Sequence, residues 1–179
     1  VSPVELIQMG IIKKIEDEVD QMQAEIMDYL VQLTRKELTE PQAQAIPVLM
    51  HCVNDAERIS DLAFLIARRA ATQSSSTTKF TDGALREMKD IVDKASIIAD
   101  LTLESLRDGK GVDKAVAIVM QEMKAMTRKS IKGHVDRLQA GLCKPDRGMI
   151  YVEVITALEN IVRHLENIAQ RSDQLASAK

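Results

Sequence analysis

The chain has 179 residues, 45% hydrophobic and 28% charged, with a formal net charge of −3. That length suits one domain or two small halves sharing a core, and that charge gives no whole-molecule attraction for nucleic acid. Aromatics make up only 2%, Trp is absent and Met numbers 9; sheets favour β-branched and aromatic side chains, so the composition points to an all-α fold.

Cys52 and Cys143 are too few and too far apart for a disulfide framework or a zinc site. No apolar run approaches the roughly 18 to 20 residues that span a bilayer. Val1 stands where an initiator Met would, which suggests a piece of something larger.

Taken in chain order, the first periodic segment places Ile12, Ile15, Val19, Met22, Ile26, Tyr29 and Leu33 at alternating spacings of three and four. This predicts a long helix with a heptad seam. The pattern breaks at "LTEPQ", where Thr39 reads as an N-cap with Gln42 as its capping-box partner and Pro41 in the first turn. Pro47 predicts either a later start or a kink. The second seam is Leu49, Cys52, Ala56, Ile59, Ala63, Ile66 and Ala70, followed by the polar linker "TQSSSTTKFT".

A third helix carries Leu85, Met88, Val92, Ala95, Ala99, Thr102 and Leu106, and "RDGKG" ends it through Gly109 and Gly111. A fourth runs from about Val112 to Gln139, up to the break "AGLCKPDRG". The fifth uses Tyr151, Ile155, Leu158, Val162, Leu165, Ala169 and Ser172. Five long helices joined by short loops predict an antiparallel bundle. The Gly and Pro breaks argue against a single extended rod.

The second and fifth helices repeat one another. "VNDAERISDLAFLIARRA" aligns with "ITALENIVRHLENIAQRS" without a gap, pairing Glu57 with Glu159, Ile59 with Ile161, Ile66 with Ile168 and Arg69 with Arg171. The duplication predicts two units, residues 1–78 with two long helices and 79–179 with three. The opening helix of the first unit is expected to be missing or reduced to "VSPVELIQMG".

"AERISDLAFLIAR" and "LENIVRHLENIAQ" resemble the two copies of the signature in PhoU-family domains, tandem three-helix bundles linked to phosphate uptake. "IEDEVDQMQAEI" resembles the acidic helix of the same unit, and the likeness extends to "GHVDRLQAGLCKP". The resemblance implies a PhoU-like antiparallel helical bundle of two three-helix repeats. It also implies a non-enzymatic regulatory domain that controls phosphate transport from the cytoplasmic side of the inner membrane. "DYLVQLTRKELTEPQ" resembles the PhoU-like domain at the carboxyl end of bacterial sodium/phosphate cotransporters, whose membrane part would then be the partner. A free-standing cytoplasmic phosphate-uptake regulator is the alternative, and a metal-free structural adaptor is the alternative of another class. The long seams are compatible with a homodimer, and nucleic acid is not an expected partner.

Glu57 and Asp61 lie one turn apart on a stripe with Asn54 and Arg68, opposite the Leu49–Ala56–Ala63 seam. A solvated face explains such a pair without further function. Glu16 and Asp20 repeat the spacing beside the Ile15–Val19 seam. Antiparallel packing of the two helices would bring four carboxylates together, and their repulsion would favour a bound cation. Oxygen-rich donors suit hard or borderline divalent ions, or iron. PhoU-like domains hold metal clusters through this acidic spacing, so the resemblance implies Glu16, Asp20, Glu57 and Asp61 as ligands, with Asn54 and His51 as candidates to extend the set.

The second unit keeps Glu159 but has Arg163 where the second acid would stand, beside His164, and Lys124 falls near the counterpart of Asp20. Cations in those places repel a metal ion, so no ordinary cluster is expected there. His51, His134 and His164 read as structural. A di-iron carboxylate enzyme needs Glu-x-x-His pairs, and the residues three before the histidines are Val48, Ile131 and Ile161. HExxH, a phosphate-binding glycine loop and a nucleophile elbow are absent as well.

Overall fold

A computed structural model describes residues 3–74, 80–108 and 114–177. Its five helices are α1 (Pro3–Leu33), α2 (Glu40–Ser74), α3 (Asp82–Asp108), α4 (Lys114–Gln139) and α5 (Pro145–Ser177). The all-α bundle is as the composition requires. The Ser-rich linker after Ser74 and the glycines Gly109 and Gly111 lie outside the described residues.

Local chemistry sets the helix ends. Gln42 Oε1 accepts a hydrogen bond from the Thr39 backbone N–H at 2.9 Å, one half of a capping box, and α2 opens directly after Thr39. Pro47 lies inside α2 without ending it. Its missing N–H falls in the second turn, where few ladder bonds are lost. Thr81 caps α3 by accepting from the Ala84 N–H at 3.2 Å. α4 stops at Gly141, whose φ of 69° favours glycine. There Leu142 N–H donates to Arg137 O at 2.9 Å and Gly141 N–H to Leu138 O at 3.1 Å, the paired bonds of a Schellman motif.

The core belongs to the second unit. α3, α4 and α5 pack mutually, burying Ala84, Ile91, Ala95 and Ile98 from α3, Met120 and Met123 from α4, and Tyr151, Ile155, Leu158, Val162, Leu165 and Ala169 from α5. α2 joins this bundle through α5, and α1 contacts α2 alone among the described helices. The fifth seam is thus buried along its whole length.

Three other seams sit differently from their sequence pattern. In α2 Leu49, Ala56, Ala63 and Ala70 are exposed, and α2 turns Asp55, Ile59, Leu62 and Ile66 toward α5. In α3 the buried stripe is Ala84, Ile91, Ala95, Ile98, Thr102 and Ser105, while Leu85, Val92 and Leu106 are exposed. At its C-terminal end α3 presents small polar residues to α5, and Ser105 Oγ lies 2.8 Å from Ser172 Oγ. In α1 the helix is turned so that Ile15, Met22, Ile26 and Tyr29 face outward, and Leu30 is buried instead. With one neighbour, α1 can bury only one side of a broad apolar face.

Candidate functional site

The packing of α1 on α2 brings acids together along one edge of the pair. Glu16, Asp20 and Asp61 each offer a carboxylate oxygen within 4.8 Å of the others. The Glu16 side chain is 12% exposed and that of Asp61 37%. Glu57 joins them electrostatically. Its partial burial, and then the Asp61 and Asp20 carboxylates, push its carboxyl above the usual range.

Positive groups stand at the margin of this edge. Lys13 donates to Glu16 and, at 2.7 Å, to Asp17, and its ammonium is held well above the ordinary lysine range by Asp17 and then Glu16. Arg58 Nη1 donates to Asp61 Oδ2 at 3.3 Å. Asn54 accepts from Gln23 Nε2 at 3.0 Å, a tie between the two helices next to the acids. His51 is exposed on α2 and is not among the converging groups. The donors are all oxygens, the set that Mg²⁺, Ca²⁺, Mn²⁺ or iron prefers. A cation there would neutralise the repulsion that raises Glu57 and would bridge α1 to α2.

The second unit puts other groups at the corresponding seam. Lys124 Nζ donates to Glu166 Oε2 at 3.0 Å, and Arg163 Nη2 donates to Asn160 Oδ1 at 3.3 Å. Here α4 and α5 are joined by an ion pair in place of facing acids. Glu159 is half-buried, and Arg128, Lys129 and Lys132 are exposed.

Asp55 escapes the sequence reading. It is 8% exposed on the side of α2 that faces α5. His164 Nδ1 lies 2.6 Å from its Oδ1, Asn167 Nδ2 donates to the same oxygen at 3.3 Å, and Arg171 donates to Oδ2. The signal is present in the pattern: an acid occupies the first place of the stripe Asp55, Ile59, Leu62, Ile66, and His164, Asn167 and Arg171 share one face of α5. His164 thus ties α5 to α2.

A second cluster crosses α3, α4 and α5. Arg137 makes a two-pronged pair with Glu87 at 3.0 and 2.9 Å, and Tyr151 Oη donates to Glu87 Oε2 at 2.5 Å. It closes one wall of a cavity of about 280 Å³ whose other walls include Lys144 and Arg147.

The acidic edge lies within a segment that resembles a known family: a family model described as PhoU domain matches residues 5–70. That segment is similar to PhoU-family domains. The matched segment takes in α1 and most of α2, with Glu16, Asp20, Glu57 and Asp61 all inside it. A relative, the "Phosphate-specific transport system accessory protein PhoU homolog 1" of Thermotoga maritima, is 24% identical over 170 residues. That alignment covers 92% of this chain and 71% of the relative, so the PhoU likeness continues past α2 into the second unit. No solved structure matches the chain. None of the described helices is long and apolar enough to cross a membrane.

Proposed function

We propose that this chain is a non-enzymatic regulatory domain of phosphate transport that works through its helical surface against the membrane part of a sodium/phosphate cotransporter. The observation that carries the reading is the convergence of Glu16, Asp20 and Asp61 on a helix pair that matches the PhoU domain. In this reading a divalent cation or iron held by Glu16, Asp20, Glu57 and Asp61 fixes α1 against α2. The surface offered to the transporter is then rigid on the cytoplasmic side. The second unit supplies the scaffold, through α5 and the Asp55 tie.

A free-standing regulator is the second reading. The Thermotoga relative is named an accessory protein, which favours it. Fractionation of source cells separates the two: a membrane-bound band much heavier than 19.9 kDa supports the attached form, and a soluble band near that mass supports the free one. Regulation itself is tested by phosphate accumulation in cells carrying Glu57→Ala with Asp61→Ala. The expected result is altered accumulation and loss of tightly bound metal. Unchanged accumulation and metal content would reduce the chain to a structural adaptor.

A further inference from the structure

The cavity of about 280 Å³ beside Tyr151 lies where α3 and α5 begin and α4 ends. Thr81 and Lys144, the residues directly before α3 and α5, both line it. Two helix N-termini, each partially positive, therefore border the same space. Backbone bonds fix both starts: Thr81 O accepts from Leu85 N–H at 3.0 Å, and Lys144 O from Gly148 N–H at 3.0 Å. The end of α4 opposes this field weakly. Its Asp136, Arg137 and Leu138 carbonyls are engaged by the N–H groups of Ala140, Leu142 and Gly141.

Arg137, Lys144 and Arg147 place three cations in the walls, and no acid is among the described lining residues. Glu87 neutralises Arg137 through their two-pronged pair. The other two charges keep most of their strength. Lys144 has no acid partner among the described residues. The Arg147 side chain is 12% exposed, whereas Asp146, 3.9 Å from its Nε, is 70% exposed and screened by water. His134, in the same wall, has a buried Nε2 without a hydrogen-bond partner among the described residues.

Two cations beside two helix N-termini match a doubly charged oxyanion better than a carboxylate, which would leave one charge over. A cavity of about 150 Å³ admits a benzene-sized molecule, so one of about 280 Å³ has room for a phosphoryl group and a small organic part. Phe80, Leu142 and Tyr151 offer that part apolar surface. We propose that this cavity binds a phosphoryl dianion, free or carried on a small organic molecule, through Lys144 and Arg147 at the start of α5. The charge and size of the cavity carry this site, independently of the acidic edge and of any role in transport.

Titration calorimetry of the whole chain with glycerol 3-phosphate and with inorganic phosphate tests it. A chelator in the buffer removes metal that could draw phosphate to the acidic edge. Wild type is expected to bind at one site per chain, and Lys144→Gln and Arg147→Gln each to bind at least about tenfold more weakly. Arg128→Gln with Lys129→Gln, which takes two charges from an exposed face of α4, should leave the affinity unchanged. Helical circular dichroism reports whether each variant stays folded, and Lys144 is exposed, so its substitution reads the site even if Arg147→Gln unfolds. Tighter binding of glycerol 3-phosphate supports the site with an organic monoester as its ligand; equal binding supports it with free phosphate. No binding of either probe by wild type, an affinity kept in Lys144→Gln, or an equal loss in the α4 control would overturn the proposal.

Discussion

Asp55 Oδ1 on α2 stands 2.6 Å from Nδ1 of His164 on α5, and Arg171 holds the other oxygen of the same carboxylate. The side chains of Asp55, His164 and Arg171 are 11%, 14% and 26% exposed. This is a desolvated charge group, and removing one member leaves the others buried without compensation. Asp55→Ala is expected to destabilise the fold by about 2–4 kcal/mol, measured by urea unfolding. Because α2 joins the bundle through α5, the loss is expected to loosen the first unit. Faster amide exchange in α1 and α2 than in α3 and α4 is the signature. A change below about 0.5 kcal/mol would mean that the contact carries no stability.

Gly148 is fixed by packing. A Cβ there would lie 2.5 Å from His134 Nε2 and 2.8 Å from Cε1. The His134 ring is 2% exposed and stands 5.0 Å from the Tyr151 ring on a tilted plane, so it has little room to withdraw. Gly148→Ala should therefore cost about 1–3 kcal/mol despite the better helix propensity of alanine. Gly10, with nothing within 4 Å of an added Cβ, is the control: Gly10→Ala should be neutral or slightly stabilising. Equal stabilities for the two variants would contradict the packing.

Acid should unfold the chain in two stages. Burial, and then Arg137, hold the His134 imidazole below its ordinary value of 6.5, so the unfolded chain takes up this proton first. That part of the stability is full above pH 6.5 and falls as pH drops below it. Glu87 resists burial through its bonds from Arg137 and Tyr151, and its carboxyl is held below the ordinary 4.5. Its share is full above that value and is lost as pH falls through the folded one. His134→Gln should flatten the upper part of the decline and leave the lower part. A stability that rises between pH 7 and 5 would contradict the His134 assignment, and one that stays level as pH falls below 4.5 would contradict that of Glu87.

Glu57 has the opposite sign. Burial, and then Asp61 and Asp20, raise its carboxyl, so its ionisation works against the fold as pH rises through the raised value. Without metal, Glu57→Gln should raise stability at pH 7 by about 0.5 kcal/mol, the scale of one like-charge pair. Thermal melts of both proteins in a chelator measure it. A lower melting temperature for the variant would mean that Glu57 is compensated by a favourable contact.

The fold was largely legible because its helices are long and their ends carry strong signals. Thr39 with Gln42, Gly141 before Leu142, and the α5 seam from Tyr151 to Ser172 are local or fully buried features that sequence states directly. The faces of α1 and α3 were less legible. Periodicity marks an apolar stripe but not which part of it meets a neighbour, and α1 has apolar residues over a wider arc than α2 covers. At the site, the one-turn spacing of Glu16 with Asp20 and of Glu57 with Asp61 suggested an encounter, and the packing places Glu16, Asp20 and Asp61 together. Asp55 was passed over because its partners lie on a helix more than a hundred residues away. Only the tertiary packing turns that acid from a fault in a seam into a tie.

The acidic edge of the first unit is proposed to hold a cation, and the corresponding seam of the second unit none. Calorimetric titration of the chelator-stripped chain with Mn²⁺, repeated on Asp61→Asn and on Glu159→Gln, tests it most directly. Binding by wild type and by Glu159→Gln, with at least about a tenfold weaker affinity in Asp61→Asn, is the predicted result. Equal Mn²⁺ binding by Asp61→Asn and wild type, or no binding by wild type, would contradict it.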